Sequence, residues 1–246
     1  MKKILISFFI LLSNLAFSYG IQPMYFEKDI SSGRGYSEIS IININKMARG
    51  RYKIGIGKGS DSKEDISSFV EIYPKVLNIM PDSKGLLKIF VNLPQELKKD
   101  EYSFMLQVTP ITIPVINENN KEITANMSMK LVMNVEMYGH YGEATQEEIN
   151  EGIKLENYEI HEKNGKVSVK GTLINDLWYG IVPSIRVESE RGSIIDSKEV
   201  IRLRKNGGKI DFNYELKDFR RKSEVARIII YDLINYKPLK EFSIKK

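Results

Sequence analysis

Between Ala125 and Tyr138 the chain reads Ala-Asn-Met-Ser-Met-Lys-Leu-Val-Met-Asn-Val-Glu-Met-Tyr. Met127, Met129, Leu131, Met133, Val135 and Met137 share one parity; Ser128, Lys130, Asn134 and Glu136 share the other, with Val132 the exception. Successive side chains of a β-strand point to opposite faces, so the segment reads as one strand over 125–138 with a single apolar face. Strands usually have about five or six residues, and this one is roughly twice as long. Such a strand has two fates. Its apolar face turns into the core of its own sheet, or its edge and knobs are lent to another chain.

Most of the remaining apolar runs are also short and strand-like. Ser37–Asn45, Arg51–Gly57, Phe69–Tyr73, Val76–Met80, Leu86–Asn92 and Tyr102–Thr109 precede the long strand. Lys166–Ile174, Pro183–Ser189, Ser193–Leu203, Lys209–Leu216, Glu224–Tyr231 and Lys237–Ile244 follow it. Asn164-Gly165 and Asn206-Gly207-Gly208 read as hairpin turns. Thr145, with Glu148 three residues on, reads as the cap of one short helical turn. The loop from Pro110 to Ile123 exceeds ordinary hairpin length, which marks it as mobile or functional. Regularly spaced short strands predict an all-β protein of two sandwiches, over 19–143 and 144–246.

Residues 1–18 have the form of a secretory signal peptide. Lys2 and Lys3 open an apolar run from Ile4 to Phe17, and Ala16-Phe17-Ser18 supplies small residues for a cut after Ser18, with a cut after Gly20 as the rival. The chain has no Cys, so it has neither a lipid-anchored Cys nor a disulfide, and its stability rests on core burial. Without Lys2 and Lys3, 35 basic residues stand against 32 acidic ones, an excess of +3. Residues 19–143 carry 15 of each sign, so the excess lies beyond them. Arg202, Arg204 and Lys205, and then Arg220, Arg221 and Lys222, form clusters beside turns. They read as solvated charge rather than a nucleic-acid surface.

No catalytic or metal constellation stands out, and no cofactor is implied. The two histidines are His140, between the expected domains, and His161, beside Glu159 and Glu162; no His-x-x-x-His spacing occurs. Gly55-Ile56-Gly57-Lys58-Gly59-Ser60 lacks the following apolar helix of a phosphate loop and reads as a strand ending in a turn. Trp178-Tyr179 reads as a packing pair.

The order of these features resembles the periplasmic pilus chaperones of the chaperone–usher pathway over about residues 21–141. The residues that carry the likeness are Ile21–Phe26, Glu38–Ile44, the proline-bounded Tyr73–Pro81, Tyr102–Val108, and then the long loop and alternating strand. The resemblance implies two immunoglobulin-like sandwiches, and the lack of a catalytic constellation leads to the expectation that the chain is not an enzyme. It implies as partners pilin-like subunits and an usher-like outer-membrane protein. Met127, Met129, Leu131, Met133 and Val135 would then be the knobs inserted into an incomplete subunit, and four Met among the six apolar positions would make an adaptable surface. An exposed apolar edge also predicts self-association, as a homodimer. The chain departs from the family at its anchor for the subunit's terminal carboxylate. The family's Arg and Lys positions fall at Met24 and Glu136, and Glu136 would repel a carboxylate. A shifted register would bring Lys130 into that role. The alternative is an exported structural or adhesive protein whose long strand closes its own sheet and has no client.

Overall fold

The computed structural model describes residues 19–61, 63–94, 97–111, 131–190, 195–234 and 237–244. The chain divides into two compact units, one with residues up to Lys98 plus Tyr102–Tyr141, the other with Lys99–Glu101 plus Gly142–Lys246. Lys99–Glu101 thus cluster with the second unit.

The first nine strands are β1 (Tyr19–Gln22), β2 (Glu27–Asp29), β3 (Arg34–Asn43), β4 (Gly50–Lys58), β5 (Val70–Tyr73), β6 (Val76–Ile79), β7 (Ser83–Asn92), β8 (Asp100–Pro110) and β9 (Met133–Tyr141). They form one sheet in the order β1-β3-β7-β5 and another in the order β2-β9-β8-β4-β6. This is the division of strands in an immunoglobulin-type sandwich. Alternation explains it: Ile39 and Ile41 of β3, Leu87, Ile89 and Val91 of β7, and Phe104, Leu106 and Val108 of β8 are all buried in one core. Two segments change sheets. β5 pairs with β7 while β6 pairs with β4, and the Tyr73–Pro74 peptide between them is cis. Likewise β1 pairs with β3 while β2 runs parallel to β9, with a cis Gln22–Pro23 peptide between them. Ile21–Phe26, one of the segments that carry the family likeness, is therefore the end of β1 and the bend before β2. Pro23 has no N–H to give a ladder there.

In the second unit, β10 (Ile153–Lys163), β11 (Lys166–Asn175) and β14 (Gly208–Leu216) form one sheet. β13 (Ile195–Glu199), β12 (Pro183–Ser189), β15 (Val225–Asp232) and β16 (Lys237–Ser243) form the other. Val167, Val169, Leu173, Ile185, Val187, Ile228 and Ile230 are buried between them. The helix α1 (Gln146–Gly152) starts with a full capping box: Thr145 Oγ1 accepts the Glu148 N–H at 3.1 Å, and the Glu148 carboxylate accepts the Thr145 N–H at 2.7 Å. Asn164 and Gly165, both at positive φ (54° and 71°), make the tight β10–β11 turn. Asn206-Gly207 also turns at positive φ, but it is not a hairpin: β13 and β14 on either side belong to different sheets. The expected strand Ser193–Leu203 accordingly stops at Glu199. β10 is absent from the sequence reading because a bulge between Glu156 and Glu159, with Asn157 at φ 49°, breaks its two-residue period, and most of it is exposed.

Candidate functional site

β9 occupies the place of the alternating strand, with different limits. It begins at Met133 and runs to Tyr141, while Leu131 and Val132 precede it outside any strand. Met127 and Met129 lie outside the described residues, as does the loop after Ile111. Met137 is fully buried in the core of the first unit, and Met133 and Val135 pack partly buried against it. Leu131 and Val132 are 48% and 45% exposed. The apolar face therefore divides at Met133: downstream it serves the chain's own core, and at Leu131 it faces solvent.

The edge of β9 divides too. On one side lies β8. On the other, β2 pairs only with Tyr138, Gly139 and His140. The Tyr138 N–H donates to the Phe26 carbonyl at 2.7 Å, and the His140 carbonyl accepts the Ile30 N–H at 2.9 Å. Main-chain groups of every second residue share a side, so those of Asn134 and Glu136 point the same way. There, among the described residues, no strand pairs with them.

The two family anchor positions have local surroundings of their own. Met24 is 62% exposed in the bend between β1 and β2. Glu136 is engaged within the first unit. Its Oε1 accepts the Ser60 N–H at 2.8 Å, the Ser60 hydroxyl, and the Ser103 hydroxyl at 3.3 Å; its Oε2 accepts the Tyr138 hydroxyl at 2.8 Å. Gly59 makes this possible, since a Cβ there would collide with the Ser103 hydroxyl. The glycine-rich Gly55–Ser60 stretch thus belongs to β4 and the turn after it, as its sequence predicts. Partial burial pushes the Glu136 pKa up, but the donors from Ser60, Tyr138 and Ser103 outweigh it and hold the group below its ordinary 4.5. The unfolded chain therefore binds a proton at higher pH than the folded one. This contribution to stability is present above the ordinary carboxylate range and is lost as pH falls through the lowered folded value. Urea titrations between pH 6 and pH 3 should show wild type losing more stability on acidification than Glu136→Gln; equal losses would remove this account.

The other sequence candidates are dispersed. His161 is exposed and pairs with Glu159 at 2.9 Å, and His140 is buried at the end of β9. Among the described residues no group of three or more His, Cys, Asp or Glu could hold a metal. Arg202 and Lys205 pair with Glu101 and Asp100 at 2.5 and 2.8 Å, so these two cations of the basic cluster are engaged internally. Trp178 and Tyr179 pack with ring centroids 4.7 Å apart and ring planes tilted by 59°. Among the described residues no helix is long and apolar enough to cross a membrane. The sequence reading missed Tyr19, whose hydroxyl lies within 3.1 Å of Met133 N and 2.8 Å of the Leu131 carbonyl oxygen. Residues more than a hundred positions apart carry no local signal of such a contact.

No family model matches the chain, and no curated protein matches it either. Solved structures do. The E. coli chaperone DraB matches at 11% identity over 93% of this chain and 96% of its own, with a TM-score of 0.46. The Salmonella enterica SafA pilin–SafB chaperone complex matches at 11% identity over 93% of this chain and 97% of the matched chain, with a TM-score of 0.44. The Pseudomonas aeruginosa chaperone CupB2 matches at 11% identity over 92% of this chain and all of its own, with a TM-score of 0.43.

Proposed function

We propose that the chain is an exported, periplasmic chaperone that binds pilus-type subunits by lending them β9 and the residues just before it. The observation that carries this reading is the divided strand. Met133, Val135 and Met137 anchor it to the first unit's core, while the Asn134–Glu136 main-chain edge and the Leu131 side chain are left without an internal strand partner among the described residues. An incomplete subunit can pair with that edge, main chain to main chain, and cover Leu131. Leu131, just before β9, is then a knob, Met127 and Met129 keep the knob role that the resemblance implies, and Met133 and Val135 act mainly as anchors. Subunit and usher-like partners follow from this role, and a homodimer covering the same edge is the resting form it suggests. Glu136, already engaged by three residues, is neither the carboxylate anchor nor a free repelling charge.

The burial of Met137 and partial burial of Met133 and Val135 favour the second reading in one respect, since a structural sandwich needs the same contacts. Hydrogen exchange separates the two. In the free mature monomer, at concentrations too low for the homodimer, the Asn134 and Glu136 amides should exchange quickly, and a pilin-like subunit should slow them at least about tenfold, the scale of one hydrogen bond. Strong protection of both amides in the monomer would support the structural module and end the chaperone reading.

A further inference from the structure

The start of β9 is held by a residue from the other end of the unit. Tyr19 of β1 is 2% exposed, and its ring lies 5.0 Å from that of Tyr52. Its hydroxyl is 3.0 Å from the Val108 carbonyl oxygen, 2.8 Å from that of Leu131 and 3.1 Å from Met133 N. The phenol accepts the Met133 N–H and gives its single hydrogen to one carbonyl at a time. Burial raises the Tyr19 pKa and the Met133 N–H lowers it in part, the net shift being upward, so that hydrogen is present at neutral pH.

The position of this hydroxyl explains where β9 begins. By the same alternation that turns Tyr138 and His140 toward β2, the main-chain groups of Leu131 and Met133 point toward β8. β8 ends at Pro110, which has no N–H to offer a carbonyl opposite it. The Tyr19 hydroxyl takes up the Leu131 carbonyl and the Met133 N–H that β8 would otherwise have to pair. Just before it, Leu131 and Val132 lie outside any strand and are half exposed.

We propose that Tyr19 is a positioning residue for the lent strand: its phenol ends the protein's own β8–β9 ladder at Met133 and presents Leu131 to a client. The client part of this inference rests on the function proposed above; the ladder part does not. It also makes the site of signal cleavage matter. A cut after Ser18 leaves Tyr19 as the first residue of the mature chain, while a cut after Gly20 removes the phenol.

Three readouts test this on the full mature protein. The intact mass of the exported chain should correspond to a start at Tyr19, and a start at Ile21 would overturn the proposal. In Tyr19→Phe, and in a chain made to start at Ile21, the Met133 amide should exchange about tenfold faster, the scale of one lost hydrogen bond, with Phe104 and Leu106 unchanged. Unchanged Met133 exchange in Tyr19→Phe would overturn the proposal, and so would an equal rise at Phe104 and Leu106, which means general loosening. A pilin-like subunit should dissociate faster from Tyr19→Phe than from wild type by about the same factor. Equal dissociation rates would overturn the positioning role. If wild type binds no subunit at all, the proposed function fails, and the exchange data alone decide the ladder part.

Discussion

Leu131→Asp should lower affinity for a pilin-like subunit at least about a hundredfold, equivalent to roughly 2.7 kcal/mol, while leaving the protein folded. Leu131 is 48% exposed and outside the first unit's ladder, so a charge there stays solvated in the free protein. Its effect on folding should be within about 0.5 kcal/mol, as for other surface substitutions. On binding, the same carboxylate would be carried into an apolar groove without a partner. Met137→Asp is the opposing control. Met137 is fully buried, so the charge would have to enter the core. That cost is comparable to the whole stability of a small domain, about 5–15 kcal/mol, and the first unit should unfold. Isothermal titration and urea denaturation of both variants decide the matter. If Leu131→Asp unfolds the protein, or binds as wild type does, Leu131 is not a client contact.

Arg202→Met should destabilise the second unit by about 3 kcal/mol, seen as a lower urea midpoint with unchanged slope. The Glu101 carboxylate is 4% exposed, and its Oε2 accepts from the Arg202 guanidinium and from the Gly180 N–H, each at 2.5 Å. Removing the cation leaves a buried anion with its amide donor alone, the costly half of a broken buried pair. The arginine is itself 17% exposed, which places the cost at the lower end of the usual 3–5 kcal/mol range. A Cβ at Gly180 would push the Arg202 guanidinium off this position. Lys166→Met is the comparison. Its pair with Glu215 is more than half exposed on both sides and should contribute no more than about 1 kcal/mol. Equal losses in the two variants would mean that Glu101 is not buried in solution as described.

What the sequence by itself determined is local. A two-residue period specified β3, β4, β7, β8, β11 and β12 to within a few residues, because each strand carries its own inward and outward positions. Asn164-Gly165 and the Thr145–Glu148 box were legible for the same reason: the groups that make the turn and the cap lie within four residues of one another. The tertiary structure alone decided what the alternating strand does. Periodicity shows that Leu131, Met133 and Met137 share a face, but not where along that face the core stops. That limit follows from where β2 diverges, where β8 reaches Pro110, and where Tyr19 places its hydroxyl. The exchange of Lys99–Glu101 into the second unit and the Glu101–Arg202 pair are of the same kind. Short-range sterics write strands and turns into neighbouring residues, whereas edges, registers and buried partners exist only once distant segments have been brought together.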